Sequence, residues 1–271
     1  MNIHKTAQIH STAVVSSDAK IAANVKIGAY CVIGENVELA ENVELKSHVV
    51  IEGTHGGTYV GAGTKVYSFA VIGQLSQDMK YYHSEEATGL TIGKNNIIRE
   101  HVTIHMGTPV SNGTVIGDNN LFMVGAHVAH DCKVGNNIYI ANNTPLGGEV
   151  EIADNVIIGG NSAVQQFVKI GKNAIVGGMT GVEQDVLPYS SVQGNRPMYW
   201  NGLNIIGLRR KGFSHSQIDT IKEAYKILFS DNLFIDRVAS LELLARDSVE
   251  IAEILKAVVN RSKHSFATPK K

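Results

Sequence analysis

The segment VAHDCKVGNNIYIANNTPLGGEVEIADNVIIGGNSAVQQF, residues 128–167, determines the predicted fold because an apolar residue recurs in it at every sixth position. The spacing continues on both sides, and the apolar positions are Ile116, Phe122, Val128, Val134, Ile140, Leu146, Ile152, Ile158, Val164, Ile170, Val176 and Val182. A period of six fits neither an α-helix, with a period of 3.6, nor an alternating strand, with a period of 2. The spacing therefore predicts a parallel β-helix, in which three hexads form one triangular coil and residues 18 apart lie one above the other.

The hexads and the segments that interrupt them predict the domain organisation. We expect a β-helix domain over residues 1–187, with loops leaving it at about residues 74–89 and 106–114. A connector and a helical C-terminal domain follow over residues 188–271. Ser214 and Gln217 form a capping-box pattern. It predicts a helix over about 217–229, and the apolar spacing predicts two more, over 234–246 and 248–262. The tail over 262–271 is expected to be disordered.

Composition excludes several classes of protein. A net charge of −1 gives no reason to expect a nucleic-acid partner. No apolar stretch approaches the roughly 20 residues that span a bilayer, and the N-terminus lacks a hydrophobic signal core. We therefore expect a cytoplasmic protein without stable membrane insertion. Cys31 and Cys132 each stand four residues after an apolar hexad position, so we expect two buried thiols and no disulfide.

The hexad register also predicts where polar side chains point. The apolar hexad position and the residue four beyond it face inward, and the other residues face outward or lie at corners. His130 is therefore expected on the outer face, His127 at the corner before Val128, and His105 just after an inward-facing position. An outer wall alone offers little concavity, so we expect a second subunit to complete a cleft, most simply in a homotrimer.

The 18-residue period predicts which of these residues are neighbours. Gly148 is expected one coil from His130, and Gln166 one coil further along the same line. Asp131 and Glu149 are expected to be adjacent carboxylates. Two such carboxylates should repel each other, which would raise one of the two pKa values or attract a cation.

Several short motifs carry a family resemblance. They are SQDMKY at 76–81, REHVTIH at 99–105, GAHVAHDC at 125–132, AVQQF at 163–167, GGMTGV at 177–182, VQGN at 192–195 and NIIGLRRKGF at 204–213. Together they resemble the UDP-N-acetylglucosamine O-acyltransferases, hexapeptide-repeat enzymes of the first step of lipid A biosynthesis. The resemblance covers essentially the whole chain. It implies a mainly β fold, a left-handed parallel β-helix with a small α-helical C-terminal domain, and no cofactor or metal ion.

The resemblance also implies catalytic roles. His130 would act as the general base that takes a proton from the 3-hydroxyl of the sugar as this oxygen attacks the thioester of a 3-hydroxyacyl carrier protein. Asp131 would orient or polarise the imidazole, and the Gly148 amide would donate to the tetrahedral oxyanion. No acyl-enzyme is implied, which agrees with an inward-facing Cys132.

The resemblance implies a further set of substrate-binding residues. They are Gln77, Asp78, Lys80, His105, His127, Glu149, Gln165, Gln166, Gly178, Asn204, Arg210 and Lys211. Asn204, Arg210 and Lys211 would hold the uridine and the diphosphate. The basic cluster of Arg209–Lys211 with Lys222 and Lys226 could also attract an acidic acyl carrier protein. A glycine at position 178 leaves the acyl groove open, which favours a long chain.

Departures from the family pattern leave alternatives open. Glu149 and Gln165 stand where other members have histidines, and Ile206 stands where an acidic residue is common. One alternative is therefore the same chemistry on a 3-amino UDP-sugar, which would give an amide. Another is a zinc-dependent trimer like the γ-class carbonic anhydrases, with His105, His127 and His130 as candidate ligands. A third is a β-helix with a purely structural role.

Overall fold

The computed structural model describes residues 2–53, 56–81 and 86–270. These residues form a left-handed parallel β-helix followed by four helices, as the hexads and the family resemblance predict. One sheet contains β1 (Asn2–Ile3), β4 (Lys20–Ile21), β7 (Val37–Leu39), β10 (Thr58–Val60), β13 (Leu90–Ile92), β16 (Thr114–Ile116), β19 (Lys133–Val134), β22 (Glu151–Ile152) and β25 (Lys169–Ile170). The second contains β2 (Gln8–Ile9), β5 (Lys26–Ile27), β8 (Glu44–Leu45), β11 (Lys65–Val66), β14 (Ile97–Ile98), β17 (Leu121–Phe122), β20 (Tyr139–Ile140), β23 (Ile157–Ile158), β26 (Ile175–Val176), β28 (Ser190–Gln193) and β29 (Tyr199–Leu203). The third contains β3 (Val14–Val15), β6 (Val32–Ile33), β9 (Val50–Ile51), β12 (Val71–Gln74), β15 (Thr103–His105), β18 (His127–Val128), β21 (Pro145–Leu146), β24 (Ala163–Val164) and β27 (Gly181–Val182).

The register of the coils follows the predicted 18-residue spacing. Val128 of β18 pairs with Leu146 of β21, and Leu146 pairs with Val164 of β24. Where a loop leaves the prism the spacing lengthens, so that Ile104 of β15 pairs with Val128. The apolar hexad positions fill the interior, and the thiols of Cys31 and Cys132 are fully buried among them.

The corners of the prism have a common backbone conformation. The third residue after the apolar hexad position usually adopts a positive φ, as in Asn137 at +56° and Asn155 at +64°. Asparagine tolerates this left-handed region better than most residues, which explains the many asparagines at these positions. Aspartate, glutamate and phenylalanine occupy the same position at Asp131, Glu149 and Phe167.

Four helices follow the prism, and their bounds refine the sequence predictions. They are α1 (Ile205–Arg210), α2 (His215–Leu228), α3 (Phe234–Leu244) and α4 (Val249–Val259). The capping box of Ser214 and Gln217 is present, although α2 begins two residues earlier than predicted. The last two helices end earlier than predicted. The apolar spacing did not predict α1 as a separate helix. No helix in the described ranges is long and apolar enough to cross a bilayer.

The C-terminal tail is the clearest error of the sequence-based prediction. Instead of being disordered, residues 262–270 pack along the last coil: Phe266 forms a bridge with Asp185 and Pro269 forms one with Trp200. Ala267 is buried with the apolar residues of the prism interior. The division of the chain between residues 187 and 188 remains a prediction, since β28 still adds a strand to the second sheet.

Candidate active site

A histidine and a carboxylate lie together at the corner that follows β18. His130 Nδ1 is 2.7 Å from Asp131 Oδ2, and both residues are only 5% exposed. The second loop of the prism covers this corner. From it, Thr108 donates to the Asp131 carboxylate through its backbone N–H and its hydroxyl, each at 2.8 Å, and the Ser111 hydroxyl donates as well.

These contacts set the charge of Asp131. Burial alone would raise the pKa of this carboxyl, but the hydrogen bonds from His130, Ser111 and Thr108 more than offset it and leave the pKa below its usual value. Of the two carboxylates that we expected to repel each other, Asp131 is therefore not the one whose pKa is raised. An ionised Asp131 only accepts hydrogen bonds, so the Nδ1–H of His130 is the donor, and in the neutral imidazole Nε2 then presents a free lone pair.

Gly148 lies against the imidazole, as the 18-residue spacing predicts. A Cβ atom at this position would be 2.5 Å from both Cε1 and Nε2 of His130. The next N–H along the chain, that of Glu149, donates to His130 O at 3.0 Å, and the Gly148 carbonyl accepts from Phe167 N–H at 3.0 Å. Among the described residues the Gly148 N–H has no acceptor. A buried amide without a partner is available to a ligand bound beside His130.

Two further histidines lie beside this pair. The rings of His105 and His127 meet edge to face, with centroids 4.8 Å apart. Burial, with smaller contributions from His127 and His130, lowers the pKa of His105 to about 4. Burial and His130 also lower the pKa of His127, whose Nδ1 lies 2.7 Å from Thr103 Oγ1. His127 lies in strand β18 itself, so the prediction that it occupies a corner is wrong.

An open groove of about 460 Å³ runs past these histidines on a single chain. Its lining includes Gln77, Asp78, His105, His127, His130, Gly148 and Gln166. From the long loop, Asp78 brings a carboxylate oxygen to 4.0 Å from His130 Nε2, and Tyr81 places its ring 6.5 Å from the imidazole. One chain thus already forms a concave site, whereas we expected concavity only between subunits. Residues 82–85 of that loop lie outside the described residues.

Comparisons with known proteins identify the family of this chain. Residues 185–266 match the family described as Udp N-acetylglucosamine O-acyltransferase, domain 2, and residues 18–53 and 113–148 match the bacterial transferase hexapeptide family. An acyl-[acyl-carrier-protein]–UDP-N-acetylglucosamine O-acyltransferase of Caulobacter vibrioides is 43% identical over 219 residues, 79% of this chain and 81% of that protein. An enzyme of the same name from Chlorobaculum parvum is 49% identical over 202 residues, 73% of this chain and 75% of that protein. The chain belongs to the family of UDP-N-acetylglucosamine O-acyltransferases.

Solved structures of this family share the whole architecture. A UDP-N-acetylglucosamine acyltransferase of Bacteroides fragilis superposes with a TM-score of 0.89 at 37% identity, over 96% of this chain and 99% of that one. The enzyme of Francisella novicida superposes with a TM-score of 0.87 at 33% identity, over 99% and 95% of the two chains. Both the β-helix and the helical C-terminal region are therefore family features.

Some predicted substrate-binding residues lie outside the groove. Gln165 lines a neighbouring depression of about 620 Å³, and Met179 lines it as well. Gly178, which precedes Met179, is exposed and lines neither the groove nor this depression. The exposed Glu149 lines another of about 460 Å³ on the far side of Asp131. Lys80 is exposed and lies over the Tyr81 ring at 5.0 Å.

Three further residues lie at a different corner of the same chain. The Asn204 side chain caps α1 and donates to Asn173 O at 2.9 Å, so its amide is engaged in structure. Lys211 donates to Asn155 Oδ1 at 2.8 Å, and Arg210 is exposed beside it. Asn155 and Asn173 belong to the corner between the first and second sheets, whereas His130 belongs to the corner between the third and first.

Sequence reasoning missed the hydroxyl residues that support the site. Thr108 and Ser111 bind the Asp131 carboxylate, and Thr114 Oγ1 accepts the Asp131 N–H at 2.8 Å. All three come from the segment MGTPVSNGT, which interrupts the hexads. The sequence shows the hydroxyl groups of this segment. Because the segment lacks the hexad repeat, the sequence does not show which residue they contact.

The described residues give no support to the zinc alternative. In residues 2–53, 56–81 and 86–270 of one chain, no group of three histidine, cysteine, aspartate or glutamate side chains could hold a metal ion. The Nδ1 atoms of His130 and His127 already form hydrogen bonds, with Asp131 and Thr103 respectively. Family membership points to acyl transfer instead.

Proposed function

We propose that the protein transfers a 3-hydroxyacyl group from acyl carrier protein to the 3-hydroxyl of UDP-N-acetylglucosamine, the first step of lipid A biosynthesis. Membership of the family supports the reaction class. The observation that carries the proposal is the position of Gly148, whose missing side chain leaves its backbone against the reactive edge of His130 and whose amide has no partner among the described residues. A general base and a hydrogen-bond donor for an oxyanion are the two groups that acyl transfer to a hydroxyl requires.

The proposed mechanism follows from the protonation of this pair. His130 Nε2 takes the proton of the sugar 3-hydroxyl as that oxygen bonds to the thioester carbonyl carbon. The Gly148 N–H donates to the resulting oxyanion, and Asp131 stabilises the imidazolium through Nδ1. When the carbon–sulfur bond breaks, His130 returns its proton to the departing thiolate, so the enzyme regains its starting protonation state.

The mechanism needs no covalent intermediate, and the nearby thiol is unsuited to form one. Burial raises the pKa of Cys132 to about 12. Its Sγ lies 3.2 Å from Gly147 O inside the prism. A thiol that is protonated at neutral pH and closed to substrate cannot act as the nucleophile.

The groove and its neighbouring depression form a continuous path for the substrates. Ala163 and Val164 line both, so the path runs from His130 past these two residues to Met179, the neighbour of Gly178 in sequence. We place the sugar near Asp78, His127 and His105, and the acyl chain toward Gly178. The exposed glycine leaves that end open, which supports a long acyl chain.

The position of Asn204, Arg210 and Lys211 supports a homotrimer. Because they lie at another corner of the prism, they can meet a nucleotide bound beside His130 only if a second copy supplies them. Arg209 and Arg210 form no ion pair with the described residues, whereas Lys222 and Lys226 pair with acidic residues of α2. The free charges can hold the diphosphate and attract acyl carrier protein.

The surroundings of Glu149 favour a hydroxyl acceptor over a 3-amino one. Glu149 does not line the groove beside His130. It lines the depression on the far side of Asp131, together with Lys133, Lys169 and Lys263. Its charge therefore faces lysines of the protein rather than the position where an amino group of the acceptor would react.

An acyl-transfer assay tests the proposal. Wild type, His130→Ala and His10→Ala would receive 3-hydroxyacyl carrier proteins of several chain lengths, with UDP-N-acetylglucosamine and its 3-amino analogue in parallel. His10 is a matched control because it lies in the first coil, far from the groove. We expect turnover of UDP-N-acetylglucosamine by wild type and His10→Ala and its loss in His130→Ala. Turnover of the 3-amino sugar alone would refute the proposed acceptor, and turnover of neither would refute the function.

A further inference from the structure

The tail crosses the prism next to the corner that carries Gly148. Asp185 anchors it, since its carboxylate accepts from the Ser262 N–H at 2.6 Å and from the Ser262 hydroxyl at 2.7 Å. Further along, the Ala267 N–H donates to Asp185 O at 2.9 Å. Between these anchors, Lys263 and His264 face the corner formed by Gln166 and Phe167.

A regular backbone ladder connects the corners of successive coils. The Glu149 N–H donates to His130 O, and one coil later the Phe167 N–H donates to Gly148 O, both at 3.0 Å. Continued by another 19-residue step, this ladder would direct the Asp185 N–H to Gln166 O. The Asp185 N–H instead donates to Ser265 O at 2.8 Å.

The side chain of His264 takes the vacated position. Its Nε2 lies 3.0 Å from Gln166 O, and because a carbonyl only accepts, His264 is the donor. Lys263 adds a second contact, with Nζ 3.3 Å from the centre of the Phe167 ring. Phe167 adopts a φ of +71°, a conformation that phenylalanine rarely adopts without support from its surroundings.

This corner is in direct contact with the glycines of the catalytic coil. A Cβ on Gly147 would lie 2.6 Å from Gln166 N, so the two backbones are packed without spare room. A shift of the corner formed by Gln166 and Phe167 would therefore move the Gly147–Gly148 segment, and with it the amide beside His130.

We propose that His264 is a positioning residue: it replaces the missing rung of the ladder and holds the Gly148 amide in register with His130. The inference rests on the proposed function, because it assigns the Gly148 amide to the oxyanion. Its consequence is that the C-terminal tail contributes to turnover although it does not line the groove.

The test compares His264→Ala with two other variants. His264→Gln keeps a side-chain donor, and Thr268→Ala is a matched control, since Thr268 is exposed and contacts Trp200 only through its carbonyl. We expect His264→Ala to lower kcat about tenfold, the effect of losing one well-placed hydrogen bond. KM for the UDP-sugar and the melting temperature should stay near wild type, His264→Gln should recover most of kcat, and Thr268→Ala should change neither.

A second readout separates this inference from the proposed function. Hydrogen exchange in peptides spanning residues 147–168 should become faster in His264→Ala and stay unchanged in Thr268→Ala. An unchanged kcat or unchanged exchange in His264→Ala would overturn the inference. If wild type itself had no turnover, the proposed function would fail, and the exchange experiment alone would decide whether His264 holds this corner.

Discussion

Replacing Gly148 by alanine tests the geometry of the site most directly. Neither Gly148 nor Gly160 has a φ in the left-handed region, so both backbones accept an alanine. The added methyl group at position 148 would lie 2.5 Å from two atoms of the His130 ring and 3.2 Å from a third. The Gly148 N–H is retained, so the variant tests the position of the imidazole rather than the presence of the donor.

The size of the effect follows from these distances. Ordinary contact begins at 3.4 Å, so the ring must move by about 1 Å, and a displacement of that size can cost about 10²-fold in rate. The ring cannot move without disturbing its bond to Asp131, which Thr108 and Ser111 hold in place. A partly broken charge-assisted hydrogen bond also costs about 1–3 kcal/mol of stability. We expect kcat to fall about 100-fold in a protein that still folds.

The assay measures kcat and KM for acyl transfer, with the melting temperature as the test of folding. Gly160→Ala is the control, because Gly160 occupies the same hexad position two coil faces later and its nearest contact would be 3.4 Å away. It should keep kcat within about twofold of wild type. In a His130→Ala background, Gly148→Ala should add little, since its effect acts through the imidazole. Wild-type kcat in Gly148→Ala, or an equal loss in both backgrounds, would refute this reasoning.

Three further predictions follow from the same site. Asp131→Asn should lower kcat by up to about 10⁴-fold with little change in KM, because an amide no longer fixes the Nδ1–H tautomer of His130; the corresponding change in serine protease triads has this effect. Steady-state kinetics would show the decrease, and a variant with a raised KM and an unchanged kcat would contradict the prediction. Cys132→Ala should keep kcat within about twofold and intact-mass spectrometry should find no acyl-enzyme, since the pKa of this buried thiol is about 12; an adduct on wild type would contradict the mechanism. The pKa of His105 falls from 6.5 to about 4 on folding, so the unfolded chain binds the extra proton. The stability that this neutral histidine contributes is complete above pH 6.5 and is lost as pH falls toward 4, by about 3 kcal/mol. The free energy of unfolding in urea, measured at pH 7 and pH 5, should therefore depend less on pH in His105→Gln than in wild type. An equal pH dependence in the two proteins would contradict the lowered pKa of His105.

The sequence was sufficient to predict the parts of the site that depend on register. An apolar residue at twelve successive sixth positions determines which residues lie above one another in neighbouring coils, so the contact between His130 and Gly148 could be predicted from numbering alone. The same argument placed Cys132 inside the prism. Handedness was not accessible in this way, because periodicity is the same in a left-handed and a right-handed coil, and only the family resemblance supplied it.

Segments outside the hexads could not be placed from the sequence. The loop that carries Thr108 and Ser111 has no period, so its contacts with Asp131 depend on long-range packing that only the structure shows. His130 faces outward, as predicted, but it is only 5% exposed, with Asp78 and Tyr81 of the long loop beside it. The hydroxyl groups of Thr108 and Ser111, together with His130, also keep the pKa of Asp131 below its usual value, because their hydrogen bonds outweigh the effect of burial.

The position along the prism of the corner that carries His130 and Gly148 explains why the tail is ordered. A solenoid ends with unsatisfied backbone groups, and its last coil has a neighbour on only one side. The corner of Gln166 and Phe167 is the last regular corner on the line that carries His130 and Gly148. An open carbonyl there would loosen the coil that carries Gly148. The tail supplies the missing donor from His264, so a segment without the hexad repeat completes the hydrogen bonds of the corner at Gln166 and Phe167.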